Sequence, residues 1–187
     1  MPPAESTQQL RVGSPCPAFA LPDVTSGRVV SDRDFAGRPL LVAFICNHCP
    51  FVVHVRKELA ALSRDAAARG YGCVFVCSND ERTHPADGPG PMKDEAASAG
   101  YACPYLHDAS QDAARAFHAA CTPDFFLFDA GHRLAYAGQL DDSRPSNGLP
   151  VTGADLRAAI DAVLAGKPCA AEQKPSIGCN IKWKPGT

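Results

Sequence analysis

Residues 44–52 read FICNHCPFV, with Cys46 and Cys49 separated by Asn47 and His48 where an apolar run gives way to a helix-like pattern. The run, PLLVAFIC over 39–46, is unbroken, as in a strand buried on both faces. Beyond it, PFVVHVRKELAALSRDAAARG puts Val52, Val55, Leu59, Leu62 and Ala66 on one stripe and Arg56, Lys57, Arg64 and Asp65 off it, and Gly70 closes the segment. Proline suits the first helical position, where its missing N–H costs nothing, so the helix is expected to begin at Pro50. Cys49 then stands at the cap, and Cys46 on the loop before it, exposed.

Working outward, YGCVFVCSN (71–79) is a second fully apolar strand, and NDERTHPADGPGP (79–91) is an aperiodic loop at its carboxyl end, where ligand sites often lie. A short helix near MKDEAASAG, a strand near CPYLHD and a helix over SQDAARAFHAA follow, the last capped by Ser110 or Asp108. CTPDFFLFDAGHRLAYAGQLD predicts two strands around the turn Asp129-Ala130-Gly131, and TGADLRAAIDAVLAGK a final helix capped by Thr152. Strands alternating with helices indicate an α/β chain. It is expected to form a single domain over 1–187, with its core at about 10–166 and a tail at 167–187. Pro168, Pro175 and Pro185 exclude a helical tail, whereas Ile177, Cys179, Ile181 and Trp183 alternate as in an extended segment docked by one face.

With 187 residues, 45% hydrophobic and 20% charged, the composition is globular, and a net charge of -2 offers no field for a phosphate backbone. No signal-like N-terminus and no apolar run long enough for a bilayer is visible. A cytoplasmic protein with no nucleic-acid or membrane partner is therefore expected. The nine cysteines are an odd number in a chain too large to need disulfide staples, which points to reduced thiols. Cys16, Cys73, Cys77, Cys103 and Cys121 read as buried small hydrophobes.

The pair at 46 and 49 is different, because a helix start supplies unpaired amides and positive potential that stabilise a thiolate, lowering a free pKa of about 8.5. Cys46 is expected to gain most, and His48, when protonated, adds to the effect. Asn47 reads as a turn residue without chemistry. Cys46, Cys49 and His48 are also zinc or copper ligand types, but no second Cys-x-x-Cys or paired-histidine motif completes a site, although His132 lies at a suggestive distance. His54 and His84 fit structural roles better than chemical ones. Cys179 is either buried by the alternation of its neighbours or folded back with the tail as a third redox thiol.

These residues, with VGSPCPAFALPDVTSG ahead of them, resemble the thioredoxin-like superfamily, in particular its redoxin branch related to alkyl hydroperoxide reductase, over roughly 10–166. The resemblance implies a central mixed sheet flanked by helices, with an N-terminal extension, a central helix–strand insertion and an extended C-terminal tail. It also implies a cis-proline at Thr122-Pro123, with the Thr122 backbone pairing with a substrate chain beside Cys46. Cys46 would attack a disulfide in a protein or small molecule and Cys49 would resolve it, with an external thiol reductant restoring the pair and no cofactor or metal beyond the Cys46–Cys49 disulfide. The chain departs from the pattern in several places. Ile45 replaces the thioredoxin tryptophan, Trp183 being the sole tryptophan, and PLLVAFIC lacks the buried carboxylate of thioredoxin. AFICNHC also lacks the threonine of peroxiredoxins, which argues against a peroxidase, with Arg56 or Arg133 the remaining candidates to serve a peroxidatic thiolate.

Overall fold

The two apolar runs form the centre of the sheet. In the computed structural model, which describes residues 3–186, β1 (Ala4–Glu5), β2 (Ala20–Pro22) and β3 (Val29–Ser31) precede β4 (Leu40–Phe44), α1 (Pro50–Arg69) and β5 (Gly72–Cys77). The chain continues through α2 (Pro89–Ala99), β6 (Tyr105–His107), α3 (Asp112–Ala116), β7 (Cys121–Thr122), β8 (Asp124–Phe128), β9 (Leu134–Gly138), α4 (Ala154–Leu164) and β10 (Ile177–Asn180). The main sheet has the order β6-β5-β4-β8-β9. β4 runs parallel to β5 and β5 to β6, while β8 is antiparallel to both β4 and β9, so the sheet is mixed.

Every residue of β4 and β5 is buried because helices cover both faces. Leu41, Ala43 and Ile45 pack with Val55, Leu59 and Leu62 of α1, Met92 of α2 and Ile160 of α4. Leu40, Val42 and Phe44 face the other way, onto Phe126, Phe128 and Phe117 beyond α3. Each such side chain contributes about 1.5–3 kcal/mol on burial. α1 begins at Pro50 with Cys49 as its cap and ends at Gly70, whose left-handed backbone closes the helix.

Local signals differ from the sequence expectation in four places. α3 ends at Ala116, shorter than expected, because His118 adopts a left-handed conformation. Asp108 accepts the Ala113 and Ala114 amides and Ser110 that of Asp112, so both expected caps contribute. α4 is capped by Gly153 rather than Thr152: the backbone is left-handed there, and Asp141 accepts the amides of Thr152 and Gly153 at 2.7 Å each. The left-handed backbone at Gly153 (φ 66°) disfavours residues with a Cβ, which would also stand 2.5 Å from Glu58 Oε1. In the β8–β9 turn, His132 takes the left-handed position, and Asp129 accepts the amides of Gly131 and Arg133.

The tail is extended, and β10 lies between β1 and β7, antiparallel to each. Ile181 is buried in the core, but Trp183 is 40% exposed beneath the Arg115 guanidinium, so the expected docked face ends before it. Asn79 Oδ1 accepts the Lys182 amide, and the Gln111 side-chain amide donates to the carbonyls of Ser78 and Lys182, tying the tail to the end of β5. No helix among the described residues is long and apolar enough to cross a membrane.

Asp124 follows Pro123 and is fully buried, and burial pushes its carboxyl up to about 7. The unfolded chain releases this proton near 3.8, so the native state binds more protons between these values and stability falls as pH rises through that window. Asp124→Asn removes this dependence. Its melting temperature relative to the unaltered protein is expected to rise from pH 5 to pH 8, and a constant difference would contradict a buried, titrating Asp124.

Candidate active site

Cys46 and Cys49 meet β7 at Thr122. Cys46 Sγ lies 3.4 Å from Thr122 Oγ1, and Cys49 Sγ, when protonated, donates to the Thr122 carbonyl at 3.1 Å. The Thr122-Pro123 peptide is cis. Cys46 is 1% exposed and Cys49 0%, which corrects the expectation of an exposed Cys46. Two distant segments close the site. β10 pairs with β7 in a register that sets Cys179 opposite Thr122. On the other side, Asn47 donates from its backbone to Asp87 Oδ1 at 2.8 Å and from its side chain to the Ala86 carbonyl.

Asp87 is the functional residue that sequence reasoning missed. It comes from the Pro/Gly-rich loop after β5, is wholly buried, and accepts from Asn79 Nδ2 and His48 Nδ1 at 2.7 Å each. It supplies a carboxylate beside Cys46 that β4 lacks. The loop's place at the carboxyl end of a central strand was the available signal, but nothing in its aperiodic sequence distinguishes Asp87 from Asp80 or Glu81. Asn47, which carried no assigned role, anchors this loop and accepts from Tyr105 Oη at 3.0 Å. His84 stacks on His48 with ring centroids 5.1 Å apart.

Other candidates are engaged elsewhere. His54 bonds Ser143, and His132 bonds the Phe35 carbonyl. Arg56 pairs with Glu95 at 2.7 Å, and Arg133 donates to the Gly13 carbonyl, so neither guanidinium is committed to the thiols. Cys46, His48 and Asp87 place one ligand-type atom each within 4.8 Å of one another. Asp87, however, already accepts three hydrogen bonds. Its 2.7 Å contact with His48 is also shorter than the separation of about 3.3 Å that two zinc ligands take at tetrahedral angles. The arrangement suits hydrogen bonding better than an ion.

The two sulfurs divide one charge unequally. Cys49 is lowered to about 5, chiefly because Cys46 donates a hydrogen bond to it, with further help from the Cys179 thiol and from the amides of Val52 and Cys179. Cys46 is pushed far up by that same bond, by burial and by the Asp87 carboxylate. The lowered sulfur is thus Cys49, chiefly through the Cys46 thiol, where the helix start was expected to favour Cys46. Cys179 is raised to about 12, first by burial and then by its bond to Cys49.

A family model described as Redoxin matches residues 11–156, most of the chain. The chain belongs to the Redoxin family. Two crystal structures are similar over nearly the whole of this Redoxin chain. An uncharacterized conserved protein from Geobacillus kaustophilus is 49% identical, with 100% of this chain and 99% of that one covered and a TM-score of 0.96. A hypothetical protein from Sinorhizobium meliloti is also 49% identical, with 97% and 99% covered and a TM-score of 0.94. A thiol:disulfide interchange protein of the thioredoxin family from Chlorobium tepidum shares the fold at 19% identity, with 82% and 97% covered and a TM-score of 0.63. None of the curated proteins matches the chain. The Redoxin chain has the thioredoxin-like fold, a mixed sheet with helices on both faces.

The thiolate of the reduced protein is expected to titrate near pH 5 by its ultraviolet absorbance, rather than near the ordinary cysteine value of about 8.5. Cys49→Ser should abolish this transition, and Cys46→Ala should move it upward by removing the donor. An unchanged titration in Cys46→Ala would contradict the shared charge.

Proposed function

We propose that this Redoxin-family chain is a thiol-disulfide oxidoreductase whose working couple is Cys46 and Cys49. The observation that carries the reading is the convergence of the two sulfurs on Thr122, Cys46 Sγ lying 3.4 Å from its hydroxyl and Cys49 Sγ 3.1 Å from its carbonyl, with Cys49 lowered so that it accepts the proton of the attacking sulfur. Cys46 attacks one sulfur of a substrate disulfide and passes its proton to Cys49 as the other sulfur leaves as a thiolate. The leaving thiolate takes that proton, and Cys49 attacks Cys46, releasing the second substrate sulfur and closing a Cys46–Cys49 disulfide. Two electrons pass from the dithiol to the substrate, and an external thiol returns them.

Several features support these roles. Cys49 stands at the start of α1 and is lowered chiefly by the Cys46 thiol, so stabilisation of its thiolate favours the dithiol form and raises the reduction potential. His48 acts through Asp87: its Nδ1, at 2.7 Å, engages the carboxylate that otherwise disfavours charge on Cys46. The substrate is a disulfide-bearing protein or small molecule, and the chemistry needs no metal or cofactor. A reducing cytoplasm suits a chain whose nine cysteines are all free.

Cys46→Ser is expected to abolish disulfide reduction, and Cys49→Ser to accumulate a mixed disulfide between Cys46 and the substrate, detected by mass. Equilibration with glutathione should give a two-electron transition between about -270 and -120 mV. Full activity in both variants would sink the reading. Copurifying zinc or copper that blocks alkylation of Cys46 would move the chain to metal binding by Cys46, His48 and Asp87.

A further inference from the structure

The oxidoreductase reading leaves a difficulty that the tail resolves. Both sulfurs of the couple are buried, so a disulfide formed between them is shielded from an external reductant. Cys179 is only half-buried, and it packs against the cluster that holds both sulfurs, opposite the Thr122 whose carbonyl lies 3.1 Å from Cys49 Sγ. Cys77 and Cys121 also lie close to the couple, but their thiols are directed to the carbonyls of Asp87 and Pro123. Cys179 is thus a third thiol gathered at Thr122 beside Cys46 and Cys49.

Its position is set by backbone pairing rather than by a mobile side chain. Cys179 is the register partner of Thr122, and Asn180 that of Cys121. The preceding residue makes the approach possible: a Cβ at Gly178 would stand 2.0 Å from the Thr122 carbonyl oxygen, so only glycine lets β10 come this near. On its other side, β10 is held by β1 through the pairs Ala4–Gly178 and Glu5–Ile177. The edge of β7 that the family resemblance assigns to a substrate chain is therefore taken by the protein's own tail.

Resting on the dithiol reading, we propose that Cys179 relays the disulfide outward: it attacks Cys49 of the Cys46–Cys49 disulfide and forms a Cys49–Cys179 disulfide. One S–S bond forms and one breaks, Cys46 leaves as a thiolate and takes the proton that Cys179 gives up, and no net oxidation occurs. Cys46 returns to its thiol form while the oxidising equivalents move to the more accessible sulfur. An external thiol then attacks Cys179, and a second one releases the mixed disulfide as a small-molecule or protein disulfide, restoring Cys49 and Cys179. Burial of the Cys179 thiol opposes its ionisation, so the step is paced by loss of that proton and quickens with pH.

The test is disulfide mapping by mass after the full-length protein is oxidised with glutathione disulfide and alkylated at low pH. The unaltered protein should yield both Cys46–Cys49 and Cys49–Cys179 peptides, Cys46→Ser only Cys49–Cys179, and Cys179→Ser only Cys46–Cys49. Gly178→Ala, which displaces β10 without removing a thiol, should lose the Cys49–Cys179 peptide and retain Cys46–Cys49. Absence of Cys49–Cys179 from both the unaltered protein and Cys46→Ser, with Cys46–Cys49 present in Cys179→Ser, overturns the relay alone. Failure of Cys179→Ser to form Cys46–Cys49 overturns the dithiol couple, and the relay with it.

Discussion

The short strand at Cys121–Thr122 is the constraint on which the site depends. Thr122 gives its hydroxyl to the neighbourhood of Cys46, its carbonyl to Cys49 and its pairing edge to Cys179. Three cysteines from the loop after β4, the cap of α1 and the tail are thereby brought to one residue. The strand can do this because β8, immediately after it, is locked between β4 and β9 at the middle of a sheet buried on both faces. The rigidity of the core is passed to the sulfurs through Pro123.

The electrostatics of the couple follow from which neighbour each sulfur faces. Cys49 has the thiols of Cys46 and Cys179 and the Thr122 carbonyl as neighbours, whereas Cys46 has a carboxylate nearby. Asp87 therefore restores a buried acid to the site from a different part of the fold: not from β4 beneath the helix, but from the loop after β5. It is bonded to His48, whose imidazole is 34% exposed and so links the buried carboxylate to the surface.

What was legible in the sequence was whatever a local signal specifies. Continuous apolar runs marked β4 and β5, Pro50 and Gly70 bounded α1, and the spacing of Cys46 and Cys49 placed the pair at its start. The family resemblance placed Thr122-Pro123 opposite them. The burial of Cys46 was not legible, because the covering groups come from the loop at Ala86–Asp87 and from the tail, neither of which has a period. The lowering of Cys49 was missed for a similar reason: a helix start favours any sulfur near it, and only the neighbours that the fold brings to each sulfur decide between the two. The tail's alternation pointed to docking but gave neither its partner nor its register, which rests on the absent side chain of Gly178.

A closed site changes what selectivity can mean for this chain. An exposed dithiol can meet any accessible disulfide, with the edge of β7 free to hold an extended substrate. Here that edge is already hydrogen-bonded, so a protein substrate has to displace β10 and compete with its pairing to β1 and β7 and with the anchoring of Lys182 to Asn79 and Gln111. A small disulfide needs only a path to Cys46, past the loop that Asn47 and Asp87 hold together. On the proposed dithiol role, the cost of opening distinguishes substrates: a small disulfide faces the loop held by Asn47 and Asp87, whereas a polypeptide competes with a strand tied on both edges.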